Sequence, residues 1–563
     1  MTEENKVIYK PIPFVDGPLT HFDRIRPDVL ECVTQRSLHD FQGMPLETVL
    51  EEVLYLEKTR IRRTKYNIFT RARKREDSIL LSKLKQGLIN PNRPDQLENL
   101  MRAIVEHYSE EIGGHFSRRV YLFASRALPL AFSWLLNAAV LKKFNPWQME
   151  QSLESRLRIV GEIEHLKKLS KHGTILIVPT HQSNIDSVLV GYAISLMHLP
   201  AFSYGAGLNL YSNPLLSYFL NRLGAYKVDR SKSNDVYKKT LKNYSTEILT
   251  RGIHSIFFPG GGRSRSGAIE SKLKLGLLGT ALEAQIENYN KGIEKPNVYI
   301  VPMITSYHFV LEASSLIEDF LLAQGKQRFI NVKDESWQIF KVGNFFWDFF
   351  GHQSSITTKI GRPLDVFGNF VDEEGRSLGP NGTIIDPKKW FTSQGEIKRE
   401  EQRDREYTRE LGERIVDRFF EENVVLSSHL VAFAFFEAIR KKFPNMDVYH
   451  LMRLSASQRS LDLEEFYKFA ETMHSKFKRL ADDKKVCLAP RLIDSDTKKW
   501  VRNGIKNLGP YHSHSVLKIG RKRIWTEDMN LLYYYRNRLS GYGMSRLAKS
   551  TRKGEVDEQG FLA

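Results

Sequence analysis

The chain has 563 residues, 41% of them hydrophobic and 27% charged, with a net charge of +18 and a pI near 9.5. That length exceeds one compact core and predicts two or three domains with ordinary globular composition. The charge calls for an anionic partner (nucleic acid, an acidic membrane face or a phosphorylated substrate) and does not choose among them. The two cysteines, Cys32 and Cys487, lie far apart, so no disulfide framework or cysteine zinc site is read, and a reducing compartment fits best.

In chain order, Met1 to Thr20 carries prolines and charges without an apolar core, so no secretory signal is expected there. Residues up to about 150 read as mostly helical, with helical apolar spacing from Leu46 to Tyr66. Lys58 to Arg75 is strongly basic, with Ile61, Tyr66, Ile68 and Phe69 interleaved. A solvated helix face explains it, as does a patch for anionic lipid or nucleic acid. Val120 to Leu141 is almost entirely apolar, broken by Arg126, Ser133 and Asn137 and flanked by Arg118, Arg119, Lys142 and Lys143. A buried core helix and a helix lying in a bilayer interface both fit it. A full span fits least, because the uncharged part is too short.

From about 160 to 365 short apolar runs alternate with helical patterns, which predicts an α/β domain. The strand candidates are Thr174–Pro179, Ser255–Phe258, Val298–Met303 and Thr357–Ile360, with a helix from about Ser187 to Met197. The strand at Val298 is read as ending at Val301-Pro302. The aromatics from Trp337 to Phe350 suit either an acyl-chain-facing surface or ordinary core. Leu364 to Glu396, rich in Gly, Pro and Asp, reads as a linker or loop. Beyond it the chain is again largely helical, with an apolar segment from Val424 to Ala438. The terminal Gly560 to Ala563 carries no retention or peroxisomal address.

Two stretches carry chemistry. Thr180-His181-Gln-Ser-Asn-Ile-Asp186 follows the Thr174–Pro179 strand. On one helix, His and Asp five residues apart would diverge by about 140°. The pair works if His181 lies in the strand-to-helix turn and Asp186 folds back from the helix start, where the N-terminus favours a carboxylate. A histidine whose tautomer is held by an aspartate can deprotonate a hydroxyl. The second stretch is Phe257-Phe-Pro-Gly260-Gly261-Gly262-Arg263-Ser264-Arg265-Ser-Gly267, closed by Lys272 and Lys274. Bare glycine backbone lets N–H groups approach an anion, and arginine binds phosphate in bidentate fashion. No Gly-Lys-Ser/Thr follows the glycines, so this is not a Walker loop, and no nucleic-acid module is matched. Gly224 to Arg230 supplies another arginine. Each feature alone is commonplace; their order and spacing carry the reading.

Taken together, these stretches resemble the four blocks of the glycerol-phosphate acyltransferase superfamily: His181 to Asp186, Gly224 to Arg230 (preceded by Ala206-Gly-Leu-Asn-Leu210), Phe258 to Gly267, and Val301-Pro302. More narrowly the chain resembles the glycerol-3-phosphate and dihydroxyacetone-phosphate acyltransferase branch. That likeness rests on Pro259 to Gly267, Lys274-Leu-Gly-Leu-Leu278, Leu430-Val-Ala-Phe-Ala434 and Tyr534-Tyr-Arg-Asn537. The resemblance implies an acyltransferase α/β domain with a mixed sheet at 156–370, a helical N-terminal region at 1–155, and a linker and helical C-terminal region at 371–563. It implies transfer of a fatty acyl group from acyl-CoA or acyl-carrier protein to the sn-1 hydroxyl of glycerol 3-phosphate, the first step of phospholipid synthesis. Dihydroxyacetone phosphate or a lysophospholipid are alternative acceptors, and an inactive lipid-binding paralogue is a further alternative.

By the same resemblance His181 is the general base and Asp186 its orienter. Arg230, Arg263, Arg265 and, more weakly, Lys274 bind substrate phosphate, with Gly260, Gly261, Gly262 and Ser264 forming the loop. A thioester is already activated, so the chemistry needs neither a nucleophilic Ser or Cys nor a metal or other cofactor. Partners would be the acyl thioester, glycerol 3-phosphate and an anionic membrane surface, with no nucleic acid. The expected location is membrane-associated, on the cytoplasmic face. The sequence departs from the family pattern twice: Gly260 stands where a Glu is usual, and Lys227 where an aromatic is usual.

Overall fold

The computed structural model describes residues 15–64, 71–89, 94–137, 157–212, 214–325, 356–508, 512 and 514–544. The N-terminal region is helical: α1 (Phe22–His39), α2 (Leu46–Arg63), α3 (Arg71–Ile89), α4 (Pro94–Ile112) and α5 (Arg118–Asn137). α5 takes in most of the apolar segment noted above; residues 138–141 of that segment lie outside the described residues, as do the aromatics at 337–350. Among the described residues no helix is long and apolar enough to cross a membrane.

The central domain holds β1 (Leu157–Gly161), α6 (Ile163–Leu169), β2 (Thr174–Pro179), α7 (Asp186–Leu196), β3 (Ser203–Gly207), α8 (Pro214–Leu220), β4 (Ala225–Val228) and α9 (Asp235–Thr250). It continues with β5 (Ser255–Ile256), α10 (Leu275–Asn290), β6 (Val298–Tyr307), α11 (Ala313–Gly325) and β7 (Ile356–Ile360). The seven strands form one sheet in the order β1-β7-β6-β2-β5-β3-β4. Five run parallel (β6, β2, β5, β3, β4), whereas β7 is antiparallel to β6 and carries β1 parallel to itself. The sheet is therefore mixed, and the fold is α/β with helical regions on either side in sequence.

The unbroken apolar runs of β2 and β6 follow from helices covering both faces of the sheet. Along β2, Ile175 and Ile177 pack with Leu166, Leu169, Val190 and Ile194 of α6 and α7. Leu176 and Val178 point the other way, to Leu278 and Leu282 of α10 and to Leu411, Ile415 and Phe419 of α12 (Glu401–Glu421). On the side of α9, Val236, Tyr237, Tyr244 and Ile248 share a core with Val29, Val33, Leu50, Val53, Ile104 and Tyr108 of the N-terminal helices.

Three expectations need correcting. β6 does not end at Val301-Pro302 but runs on to Tyr307, because β7 pairs with its second half from Met303 to Tyr307. The strand at Ser255 stops at Ile256; Phe257 still donates its N–H to the Ile177 carbonyl at 3.0 Å, and the chain then turns. The stretch from Leu364 to Glu396 is no free linker. Leu364 exchanges two 2.8 Å backbone hydrogen bonds with Ile300, and the two-residue strands β8 (Phe370–Val371), β9 (Ser377–Leu378) and β10 (Ile384–Ile385) form a small antiparallel sheet.

The C-terminal region is built round α13 (Ser427–Lys442), whose apolar run is buried among α14 (Leu463–Asp482), α15 (Thr497–Leu508) and α16 (Met529–Asn537). The same core takes in Tyr307, Phe309 and Val310 just past β6, and Leu316 and Ile317 of α11. Burial of that shared apolar surface docks the C-terminal helices on the end of the sheet where the strand-to-helix turns gather.

Candidate active site

β2 ends at Pro179 and α7 begins at Asp186, so the intervening turn delivers His181 at the carboxyl end of a parallel strand, a common place for ligand sites in α/β sheets. The fold-back expected from the spacing is present. His181 Nδ1 lies 2.9 Å from Asp186 Oδ2, and the same oxygen accepts the N–H groups of Gln182 (2.6 Å) and Ser183 (2.9 Å). Asp186 Oδ1 accepts the Tyr307 hydroxyl. Four donors surround a carboxylate that is 1% exposed, and with the imidazole proton on Nδ1 facing it, Nε2 is left with a lone pair to accept a proton. Burial beside this carboxylate pushes the Tyr307 hydroxyl well above the ordinary range, keeping it a donor.

The arginine loop meets this turn directly. Ser264 donates its N–H to the His181 carbonyl at 2.8 Å, and the Phe258 ring lies 4.6 Å from the imidazole, centroid to centroid. Arg263 and Arg265 flank Ser264 in the chain, so the loop that carries them is tied to the His181 turn. Arg265 is exposed, whereas Arg263 is largely buried with Nη1 3.6 Å from Glu312 Oε1. Glu312 also ties down the first turn, accepting from Ser183 Oγ at 2.9 Å and from Asn184 N–H at 3.0 Å.

Lys274 N–H binds the Pro259 carbonyl at 2.7 Å, and its side chain crosses Gly261. That glycine has φ +69°, and a Cβ there would come within 2.8 Å of Lys274 Cγ, so both backbone and space require glycine. Arg230 stands over the same loop, with Nη1 3.9 Å from where a Cβ at Gly262 would be. The segments carrying the expected residues meet here: His181 bonds Asp186 through its ring and Ser264 through its carbonyl, Arg263 lies near Glu312, and Arg230 and Lys274 flank the Gly260, Gly261 and Gly262 turn, with Arg265 exposed on the same loop. Lys227 instead stands by the Tyr211 ring, 5.5 Å from its centroid.

Both helical regions hold this site from behind. Arg60 of α2 is buried against Asp77 (2.6 Å) and Glu57 (2.7 Å), with Nη1 3.9 Å from Asp229, the neighbour of Arg230. From the C-terminal side, Asn537 Nδ2 donates to the Ser266 carbonyl at 3.0 Å. The Tyr534 carbonyl presses on Gly267, where a Cβ would approach it to 2.3 Å. Arg538 reaches β6 itself, donating to the Thr305 carbonyl at 3.1 Å.

Sequence reasoning missed Tyr307, Glu312 and Glu270, the last of which accepts the His181 backbone N–H at 2.7 Å. Tyr307 had a signal in principle, a tyrosine at the end of a wholly buried strand. The two glutamates had none, since each reaches the site only through the tertiary fold. Among the described residues no group of three or more His, Cys, Asp or Glu is gathered to hold a metal.

A buried Asp–His pair at the end of a parallel strand, opposite an arginine-bearing glycine turn, defines an acyltransferase-type site. The acyltransferase family model matches residues 160–306. The chain is 28% identical over 254 residues to a glycerol-3-phosphate acyltransferase of Shewanella sp. (strain W3-18-1), covering 44% of this chain and 28% of that one. To the protein of the same name from Shewanella halifaxensis it is 28% identical over 283 residues, 49% of this chain and 30% of the other. To that of Pseudomonas fluorescens it is 28% identical over 228 residues, 39% and 25%. These matches take in less than a third of each relative's length. The chain therefore carries an acyltransferase domain at residues 160–306 and, over that part, is similar to glycerol-3-phosphate acyltransferases.

Proposed function

We propose that this protein acylates the sn-1 hydroxyl of glycerol 3-phosphate with a fatty acyl group taken from an acyl thioester, opening phospholipid synthesis. The single observation that carries this reading is the 2.8 Å bond from Ser264 N–H to the His181 carbonyl. It joins the turn that carries His181 to the loop that carries Arg263 and Arg265. The acceptor's phosphate binds Arg230, Arg263 and Arg265, with Lys274 at the loop's edge. Its hydroxyl then faces His181 Nε2. As the oxygen attacks the thioester carbonyl, its proton passes to Nε2, and Asp186 stabilises the imidazolium. The tetrahedral oxyanion collapses with cleavage of the C–S bond, and the leaving thiolate takes the proton back.

Membrane association on the cytoplasmic face belongs to the same reading. Supporting it are the +18 charge and an aromatic patch in which Phe123 of α5, 61% exposed, stacks on Phe219 of α8 beside Tyr218, 47% exposed.

The test is a single-product assay with radiolabelled glycerol 3-phosphate, dihydroxyacetone phosphate or a lysophospholipid, each offered with acyl-CoA and with acyl-carrier protein. Acylation of glycerol 3-phosphate, lost in His181→Ala at unchanged Tm, supports the reading. Turnover of another acceptor alone replaces the substrate, and turnover unchanged in His181→Ala removes the mechanism.

A further inference from the structure

Asp186 meets the ring of His181, whereas Glu270 meets the His181 backbone. Its Oε1 accepts the His181 backbone N–H at 2.7 Å, a charge-assisted bond to the residue that carries the base. Its Oε2 is closed off from solvent and has no hydrogen-bond partner among the described residues. An ionisable oxygen left in that state costs free energy, so a structure that keeps it has a reason to do so. Burial pushes this carboxyl up, against the His181 N–H and the positive charge of Arg538 that hold it down. Arg538 is itself buried, fixed by bonds to Asn423 Oδ1 at 2.9 Å and the Thr305 carbonyl at 3.1 Å, with Nη1 lacking a partner among the described residues.

The carboxylate also accounts for Gly260. A Cβ at that position would lie 3.0 Å from Glu270 Cγ and 3.3 Å from its Oε1, so the Glu270 side chain fills the space that any side chain at 260 would enter. The loop therefore has a carboxyl group beside it, supplied from ten residues on in the chain rather than from position 260 itself.

We propose that Glu270 is a positioning residue for the base: it fixes the His181 backbone against the Gly260 loop and adds an anion beside the imidazole, in place of an acid at position 260. The proposal rests on the reading of His181 as the base. An anion near an imidazole favours its protonated form, so removing the charge lowers the pKa of His181. A merely structural role would not move that titration.

The experiment compares Glu270→Gln, Glu270→Ala and the exchange variant Gly260→Glu/Glu270→Ala in the full chain, with Tm as the check on folding. The His181 ring is followed by NMR titration, and kcat, acceptor KM and donor KM are measured on glycerol 3-phosphate. The expected result in Glu270→Gln is a His181 titration displaced to lower pH. With it, kcat drops about 10- to 100-fold in Glu270→Ala while both KM values hold, on the scale of a misplaced base. The acid limb of kcat/KM moves to lower pH, and the exchange variant recovers most of kcat. An unmoved His181 titration in both single variants overturns the proposal whether or not turnover is seen. Wild-type protein with no turnover on any acceptor overturns the acyl-transfer reading instead, and the titration still decides the role of Glu270.

Discussion

The turn that carries His181 and the loop that carries the arginines touch, yet they are built in opposite ways. In the turn, hydrogen bonds are made inside the protein: Asp186 receives four donors and is sealed from water, and Ser183 Oγ and the Asn184 backbone N–H are tied to Glu312. In the loop, backbone shape is fixed by glycine and by the 2.7 Å bond from Lys274 to Pro259, while Arg230, Arg265 and Lys274 remain exposed. The contrast separates two jobs. A base must hold one tautomer and one direction, which internal hydrogen bonds enforce. An anion site must keep charge available to a ligand that comes and goes.

The sharpest way to break this contrast is Asp186→Asn. An amide keeps the shape but not the charge, and it turns an NH2 group toward donors that expect an acceptor. Loss on the order of 10³- to 10⁴-fold in kcat is expected, as when a triad aspartate is neutralised. Single-turnover kinetics check it, and a loss below tenfold with a native Tm would mean Asp186 only holds the shape of the turn. Arg265→Ala probes the other half with a smaller effect. The acceptor KM should rise about 10- to 100-fold, the worth of a charged hydrogen bond of about 1.5–3 kcal/mol, with kcat nearly held. Since Arg265 is exposed, Tm should stay within what a surface change of about ±0.5 kcal/mol produces. An acceptor KM indifferent to both this variant and added salt would place the phosphate elsewhere.

How much of this was legible in the sequence follows the same division. The strand β2, the start of α7, the His181–Asp186 pair and the glycine turn are local patterns, and local patterns read well from residues in a row. The sheet's mixed character came only with the family resemblance, and Val424 to Ala438 stood out as apolar without showing that it would form the buried run of α13. What could not be read was whatever depends on distant partners. β6 outruns Val301-Pro302 because β7, more than fifty residues later, pairs with it. Leu364 looked like the start of a linker until Ile300 gave it two hydrogen bonds. Gly260 looked like a missing charge because nothing in the sequence shows that Glu270, ten residues on, turns back against it.

The smallest expected effect, and the most gradual, concerns the seam between the sheet and the C-terminal helices. His308 and His429 are buried there side by side with β6: His308 Nδ1 lies 2.9 Å from Ser428 Oγ, and His429 Nε2 lies 2.8 Å from the Tyr307 carbonyl. His429 Nδ1 accepts the Leu426 N–H at 3.4 Å, so a proton added at that nitrogen would displace a bond already made. Burial, reinforced by Arg491, pushes His308 down to about 3; burial, reinforced by Arg538, pushes His429 well below its ordinary value. Below pH 6.5 the unfolded chain takes up protons that these folded sites refuse. Stability therefore falls as pH drops from 6.5, and for His308 it goes on falling until about pH 3. At pH 5.5 each such histidine withdraws about 1.4 kcal/mol relative to its neutral form. Denaturant midpoints measured from pH 7.5 to 5 should decline along this limb. In His308→Asn, which keeps a hydrogen-bonding group near Ser428 but cannot titrate, the decline should be shallower by close to one proton, whatever the variant costs at pH 7.5. Because Tyr307 bonds to both Asp186 and His429, loosening of this seam in acid should reach the base before the chain unfolds. A kcat that survives to the onset of unfolding at pH 5 would show the turn to be self-sufficient, its order owed to its own hydrogen bonds and not to the helices docked behind it.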